Sequence, residues 1–234
     1  MIKVVSFKIC PFVQRVTALL EAKKIPYEIE FISLSDKPQW FLDISPNAQV
    51  PILITETGTT LFESDAIVEY LEEAYKPLES DVSPEQKAVS RAWSYLASKN
   101  YLTQCSAMRS ADEATLTERS NKLASAFAKV EKVLGNGSYF NGESLSMVDI
   151  AWLPLLHRAA IINKNTCYDF LADFPKVKAW QKSLMQTGLA EKSVSQDFEQ
   201  RFTDFYLSVM TFLGSGKDCD VDLSSECGGS RCCN

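Results

Sequence analysis

The stretch richest in reactive possibilities is Ser6-Phe7-Lys8-Ile9-Cys10-Pro11-Phe12-Val13-Gln14-Arg15. Proline directly after cysteine marks the start of a helix, because the N–H that Pro11 lacks has no partner in a first turn anyway. The other first-turn amides then face the Cys10 sulfur. A thiol in that position has its pKa lowered from about 8.5 by one to several units, which makes it an ionised nucleophile near neutral pH. The competing reading is a small apolar residue filling a core. Val13 stands where a second cysteine would complete a redox pair, so a second thiol must come from elsewhere.

The elements that must hold this sulfur follow from periodicity. Ile2, Val4, Val5 and Phe7 form a short β-branched and aromatic run that suits a buried strand. Val16, Leu19 and Leu20 then recur at helical spacing, with Lys23 and Lys24 closing the helix. Ile25 to Ile32 alternates as a second, parallel strand, and 35–45 reads as a loop or short helix. Residues 51–63 read as a β-hairpin turning at Gly58-Thr59-Thr60, and Ser64 opens a helix with Ala66, Ile67, Tyr70 and Leu71 inward. The order βαβ, then ββα, is that of a thioredoxin-like domain.

After Pro77 and Glu79-Ser80-Asp81 the character changes. Ser83-Pro84-Glu85-Gln86 is a helix start with Ser as cap and Gln able to reach back. Only helical periodicity follows, over 84–109, 115–134, 146–162, 175–186 and 191–213. Ser146-Met147-Val148-Asp149 is read as a structural cap. Phe198, Phe202, Phe205, Val209 and Phe212 would form one continuous apolar face, which either packs or covers a cleft, packing being favoured. His157, the one histidine, is taken as packed or surface-lying, and no metal site is expected. The expected organisation is α/β plus all-α: residues 1–76 thioredoxin-like, 77–84 a linker, 85–213 helical, and 214–234 a flexible tail.

With 234 residues and 46% hydrophobic content, the chain can build two modest cores. Its net charge of −6, with Lys and Arg scattered, excludes a nucleic-acid partner held through phosphates. No run of 18 or more apolar residues and no leader-like N-terminus is present, which leads to the expectation of a soluble, cytoplasmic protein without a membrane partner. Four of the seven cysteines, Cys219, Cys227, Cys232 and Cys233, crowd the tail, which does not resemble a distributed disulfide framework. Their spacing fits no standard zinc module; a soft-metal site, thiol delivery to Cys10, or exposed thiols without a role all remain open.

Cys10-Pro11-Phe12-Val13-Gln14-Arg15 resembles the Cys-Pro-Phe-x-x-Arg motif of the cysteine-type glutathione transferases, the omega and lambda classes and their glutaredoxin-like relatives. Lys37-Pro38-Gln39-Trp40-Phe41, Val50-Pro51-Ile52-Leu53 and Glu63-Ser64-Asp65-Ala66-Ile67 follow in the family's order. The resemblance implies a glutathione transferase fold, Cys10 as nucleophile, and glutathione as co-substrate bound by Phe12, Lys37, Val50, Pro51, Glu63 and Ser64. It also implies a cis Val50–Pro51 bond, which turns the Val50 backbone toward the Cys10 side as an edge for an extended peptide. Ser64 and the free amides beside it suit the γ-glutamyl carboxylate, Glu63 the ammonium, and Lys37 the glycine carboxylate. A plain helix cap with a solvated acid is the competing reading of Glu63-Ser64.

The implied reaction is thiol transfer or reduction through a Cys10–glutathione mixed disulfide, including dehydroascorbate reduction. The alternatives are a lyase that removes glutathione from a thioether, and a non-enzymatic binding or regulatory protein on the same fold. The second substrate, small and hydrophobic or a disulfide, is expected near Tyr101, Trp180 and the last helix. A homodimer is implied by the resemblance alone.

Overall fold

Strand β1 (Ile2–Ser6) buries Ile2, Val4 and Val5 and is the strand around which the sheet is built. It pairs in parallel with β2 (Tyr27–Phe31) and antiparallel with β3 (Ile52–Ile54), and β3 pairs with β4 (Thr60–Phe62), giving the order β2-β1-β3-β4. This is a computed structural model, and it describes residues 1–216. The β1-to-β2 crossover is α1 (Pro11–Lys23), which buries Val13, Val16, Leu19 and Leu20 and ends on Lys24 in the left-handed region. Segment 35–45 contains one short helix, α2 (Gln39–Ile44). At the hairpin tip, Gly58 adopts φ 85°, a conformation that glycine takes without steric cost.

Helix α3 (Ser64–Ala74) buries Ser64, Ile67, Val68 and Leu71. The expected Ala66 instead faces solvent and Val68 is buried, while Ile67 and Leu71 stay inward, so the buried face is turned by about a quarter turn from the one read in the sequence. The sheet unit is therefore thioredoxin-like, as expected.

The second half is helical. Helix α4 (Pro84–Met108) begins in the anticipated capping box, Ser83 accepting from the Gln86 amide while Gln86 accepts from Ser83. Asp112 caps α5 (Glu113–Val133), and Ser146 with Asp149 forms a second box on α6 (Met147–Asn165). Then follow α7 (Pro175–Gln186), α8 (Leu189–Lys192), α9 (Phe198–Tyr206) and a 3-10 turn at Leu213–Ser215. Helix α6 is buried on nearly every side and packs on both α4 and α1, so it joins the helical half to the helix carrying Cys10.

The expected helix 191–213 is broken. Helix α9 stops at Tyr206, where Thr211 folds back and donates through Oγ1 to the carbonyls of Tyr206 and Ser208, both at 2.9 Å. The Phe212 amide donates to Ser110 O at 2.7 Å instead of continuing the helix. A side chain that offers the backbone another partner ends a helix whose apolar pattern would otherwise carry on. Phe198 and Phe202 are buried as the packing reading required, whereas Val209 is 84% exposed. No helix among the described residues is long and apolar enough to cross a membrane. Cys219, Cys227, Cys232 and Cys233 lie outside the described residues.

Candidate active site

Cys10 is the residue before α1, with φ −75° and ψ 122°; its N–H donates to Phe7 O at 3.0 Å, and its carbonyl accepts from Gln14 N at 3.1 Å. Pro11 occupies the first helical position, and the amides of Val13 and Phe12 reach the sulfur, as the sequence required. The expected ionisation does not follow. Burial pushes the Cys10 thiol up to about 11, outweighing the two amides and the nearby Arg158 charge, all of which act to lower it. The resting side chain is a protonated thiol that ionises as it reacts. Its alkylation by iodoacetamide is expected to rise about tenfold per pH unit from 7 to 10, since only the thiolate reacts. Peptide mapping of Ile9–Arg15 after timed alkylation checks this, and a rate plateau below pH 8 would contradict it.

Two arginines divide the work around α1. Arg15, from the sequence motif, is fully buried and ion-pairs with Asp65, bracing α1 against α3 rather than facing the sulfur. The guanidinium near the thiol is Arg158 on α6. It donates to Ile9 O at 3.1 Å and Pro154 O at 2.9 Å and also to Gln14 Oε1, so it ties α6 to the turn bearing Cys10. Arg158 is fully buried and has no carboxylate partner among the described residues. Beside it, His157 accepts from Gln14 Nε2 through Nδ1 at 2.8 Å and stacks on Phe198. Burial and the Arg158 charge push its pKa down to about 3, so it is a neutral, packed histidine.

One cleft of about 330 Å³ is lined by Cys10, Phe12, Lys37, Val50, Pro51, Glu63 and Ser64 together, the full set singled out in the sequence. Val50–Pro51 is cis, and Val50 precedes the β3 ladder, which begins at Ile52. Glu63 holds φ 65° and ψ 116°, a conformation costing a non-glycine residue on the order of 1–3 kcal/mol. Its Oε1 accepts from Asn47 at 2.8 Å. Ser64 is the first residue of α3, where amides have no helical partner. Lys37 donates to Ala48 O at 2.9 Å, and Ser45 ties the same loop together by exchanging hydrogen bonds with Gln49. Asn47 and Gln49 also line the cleft, and neither was read from the sequence.

A second cleft, of about 550 Å³, shares Cys10, Phe12, Leu34 and Leu102 with the first and is walled by Phe7, Cys105, Arg109, Phe205 and Tyr206. Two expectations are corrected here. Trp180 lies in the helical core, donating to Asp149 Oδ1 at 2.6 Å and packing on Trp152 and Phe140. Tyr101 is fully buried behind Phe12, its ring 5.0 Å away, and donates to Ala151 O. Leu102 and Cys105 reach the cleft in their place, one residue and one turn further along α4. The last helix does contribute, through Phe205 and Tyr206.

Family models for the glutathione S-transferase N-terminal domain and C-terminal domain match residues 9–74 and 113–181. The chain is 33% identical over 228 residues to glutathione S-transferase omega-1 of Sus scrofa, covering 95% of this chain and 91% of that one. It is likewise 33% identical over 176 residues to the probable glutathione S-transferase DHAR1, cytosolic, of Oryza sativa subsp. japonica, covering 75% and 79%. Among solved structures, glutathione transferase Omega 3C from Trametes versicolor superposes with a TM-score of 0.72 at 28% identity, covering 83% of this chain and 89% of that one. Near end-to-end similarity, together with a cysteine at the head of α1, makes the chain a member of the glutathione S-transferase family, on its omega-like side.

Proposed function

We propose that the chain is a glutathione-dependent thiol transferase and reductase in which the Cys10 sulfur forms a mixed disulfide with glutathione. The observation that carries this reading is the convergence of Cys10 with Lys37, Val50, Glu63 and Ser64 on one cleft, and the opening of that same sulfur to a second cleft. The first cleft offers each end of the tripeptide a partner: unpaired amides at the head of α3 and the Ser64 hydroxyl for the γ-glutamyl carboxylate, Glu63 for the ammonium, Lys37 for the glycine carboxylate. The Val50 backbone edge takes the middle of the tripeptide as an added strand. The strained Glu63 backbone is consistent with a residue held for binding rather than for the fold.

In the reaction, Cys10 attacks the glutathione sulfur of a glutathionylated substrate held in the second cleft. The substrate thiol leaves, and the Cys10 proton passes to it or to solvent. Charge developing on the sulfur during attack is met by the Phe12 and Val13 amides and by Arg158. A further glutathione regenerates Cys10 and departs as the oxidised dimer. Dehydroascorbate reduction would use the same thiol and the same reductant. The division at residues 77–84, and association as a homodimer, belong to the same proposal.

Glutathione-dependent release of thiol from a glutathionylated peptide tests the reading; release no faster than without enzyme ends it. Glu63→Gln is expected to raise KM for glutathione about tenfold, as loss of one charge-assisted contact worth about 1.5 kcal/mol requires, while kcat stays within about threefold. Steady-state kinetics at saturating second substrate separates the two constants. An unchanged KM would return Glu63 to the role of a solvated acid beside a helix cap.

A further inference from the structure

The mechanism above leaves one thiol unused. Among the described residues the free cysteines are Cys10 and Cys105, and both are half-buried on the walls of the same cleft. Cys105 lies in the last turn of α4, one turn beyond Tyr101, whose ring meets that of Phe12 at 5.0 Å. The head of α1 and the C-terminal turns of α4 therefore meet at this level, and the two sulfurs sense each other's charge. A disulfide requires Cα atoms within about 7 Å, which neighbouring elements in contact can supply. Two further groups distinguish this pair from stray core cysteines. The Tyr206 hydroxyl shares the cleft wall with Cys105, and the buried guanidinium of Arg158, with no carboxylate partner among the described residues, interacts with both sulfurs. A buried cation with no carboxylate beside it favours negative charge as it develops on a neighbouring sulfur during thiol–disulfide exchange.

We propose that Cys105 is the second thiol of the catalytic cycle, attacking the Cys10–glutathione disulfide to form a Cys10–Cys105 disulfide and release glutathione. The step rests on the mixed-disulfide reading. One S–S bond forms between the two cysteines as the bond between Cys10 and glutathione breaks, and the Cys105 proton goes to the departing glutathione thiolate. No electrons are gained or lost overall in that exchange. Two glutathione molecules then restore both thiols and leave as oxidised glutathione, so the net reaction is the one already described. A thiol fixed within the cleft competes well with glutathione from solution because its attack is intramolecular.

Trypsin cuts after Lys8, Arg15, Lys99 and Arg109, which separates Cys10 on Ile9–Arg15 from Cys105 on Asn100–Arg109. Full-length protein is exposed to a small excess of oxidised glutathione, quenched with N-ethylmaleimide and mapped without reduction, alongside Cys105→Ser and Cys105→Ala variants checked for native melting. The expected result is a cross-link between the two peptides in the wild type, and glutathione retained several-fold more on Ile9–Arg15 in both variants. Glutathione retained equally on Ile9–Arg15 in all three proteins, with no cross-link, overturns the role of Cys105 and leaves the mixed disulfide standing. No glutathione on Ile9–Arg15 in any protein, and no cross-link, overturns both.

Discussion

Cys10→Ser is expected to lower glutathione-dependent thiol release by about a thousandfold or more, with KM for glutathione changed by less than about threefold. The reason is chemical rather than geometric. A serine hydroxyl at the head of α1 keeps the Phe12 and Val13 amides as neighbours, and Lys37, Glu63 and Ser64 still line the cleft, so on the proposed reading binding of the tripeptide is expected to survive. What disappears is the ability to form and break an S–S bond, for which no other atom of the cleft except the Cys105 sulfur is suited. A loss shared by kcat and kcat/KM is the signature of an interaction made only at the reacting centre. Stopped-time assays with a glutathionylated peptide measure it. Retention of full activity would remove Cys10 from the chemistry. The variant should also lose the steep alkylation of Ile9–Arg15 at high pH, which separates a silent site from an unfolded one.

The second large effect concerns the element that aims Arg158. Asp149 is fully buried and accepts from Phe140 N at 2.9 Å, Ser146 N at 2.8 Å, Ser146 Oγ at 2.5 Å and Trp180 Nε1 at 2.6 Å. Burial raises its pKa while these donors lower it, so the carboxyl is held at a real desolvation cost that its partners offset. Asp149→Ala strands several buried donors at once, each worth about 1–3 kcal/mol when left without an acceptor. The expected loss of stability is about 4 kcal/mol, or roughly 10 °C in Tm for a chain of this length. Asp149→Asn keeps one carbonyl oxygen and should cost about half as much. Thermal and urea unfolding of the two variants give the comparison. A loss below about 1 kcal/mol for Asp149→Ala would mean that the α6 start is held by its packing alone.

These two sites differ in how they are visible from the chain. Cys10-Pro11 can be read directly because cap chemistry is local: a proline in the first turn and the amides behind it lie within three residues. The capping boxes at Ser83-Gln86 and Ser146-Asp149 are legible for the same reason, each closing over a three-residue span. What could not be read is that the Asp149 carboxylate also holds Trp180, because that contact joins residues 31 apart across two helices. Trp180 therefore looks like a cleft residue in the sequence and is a core residue in the fold.

The first cleft illustrates the intermediate case. Lys37, Val50-Pro51 and Glu63-Ser64 carry little meaning singly, and their motifs gained it only through resemblance in order and spacing; the sheet and α3 bring them to one cleft with Cys10. Asn47 and Gln49 sit in a loop with no periodicity, so no pattern marked them. Arg158, Gln14 and His157 join α6 to α1 over more than a hundred residues, as do the walls contributed by Phe205 and Tyr206. Cys105 is unremarkable within the polar and small residues around it, and only the packing of α4 beside α1 makes it a neighbour of the sulfur.

The sequence by itself determined the kinds and order of elements and the place of Cys10 at a helix head, since caps and periods of two and 3.6 are properties of neighbouring residues. Tertiary structure decided where α9 ends, which face α3 buries, which arginine stands by the thiol, and above all the protonation of that thiol. A pKa is set by the balance between amides supplied locally and desolvation supplied by every element packed around the site. The local half of that balance is written in six consecutive residues, and the opposing half comes from α4, α6 and α9, which no spacing near Cys10 encodes.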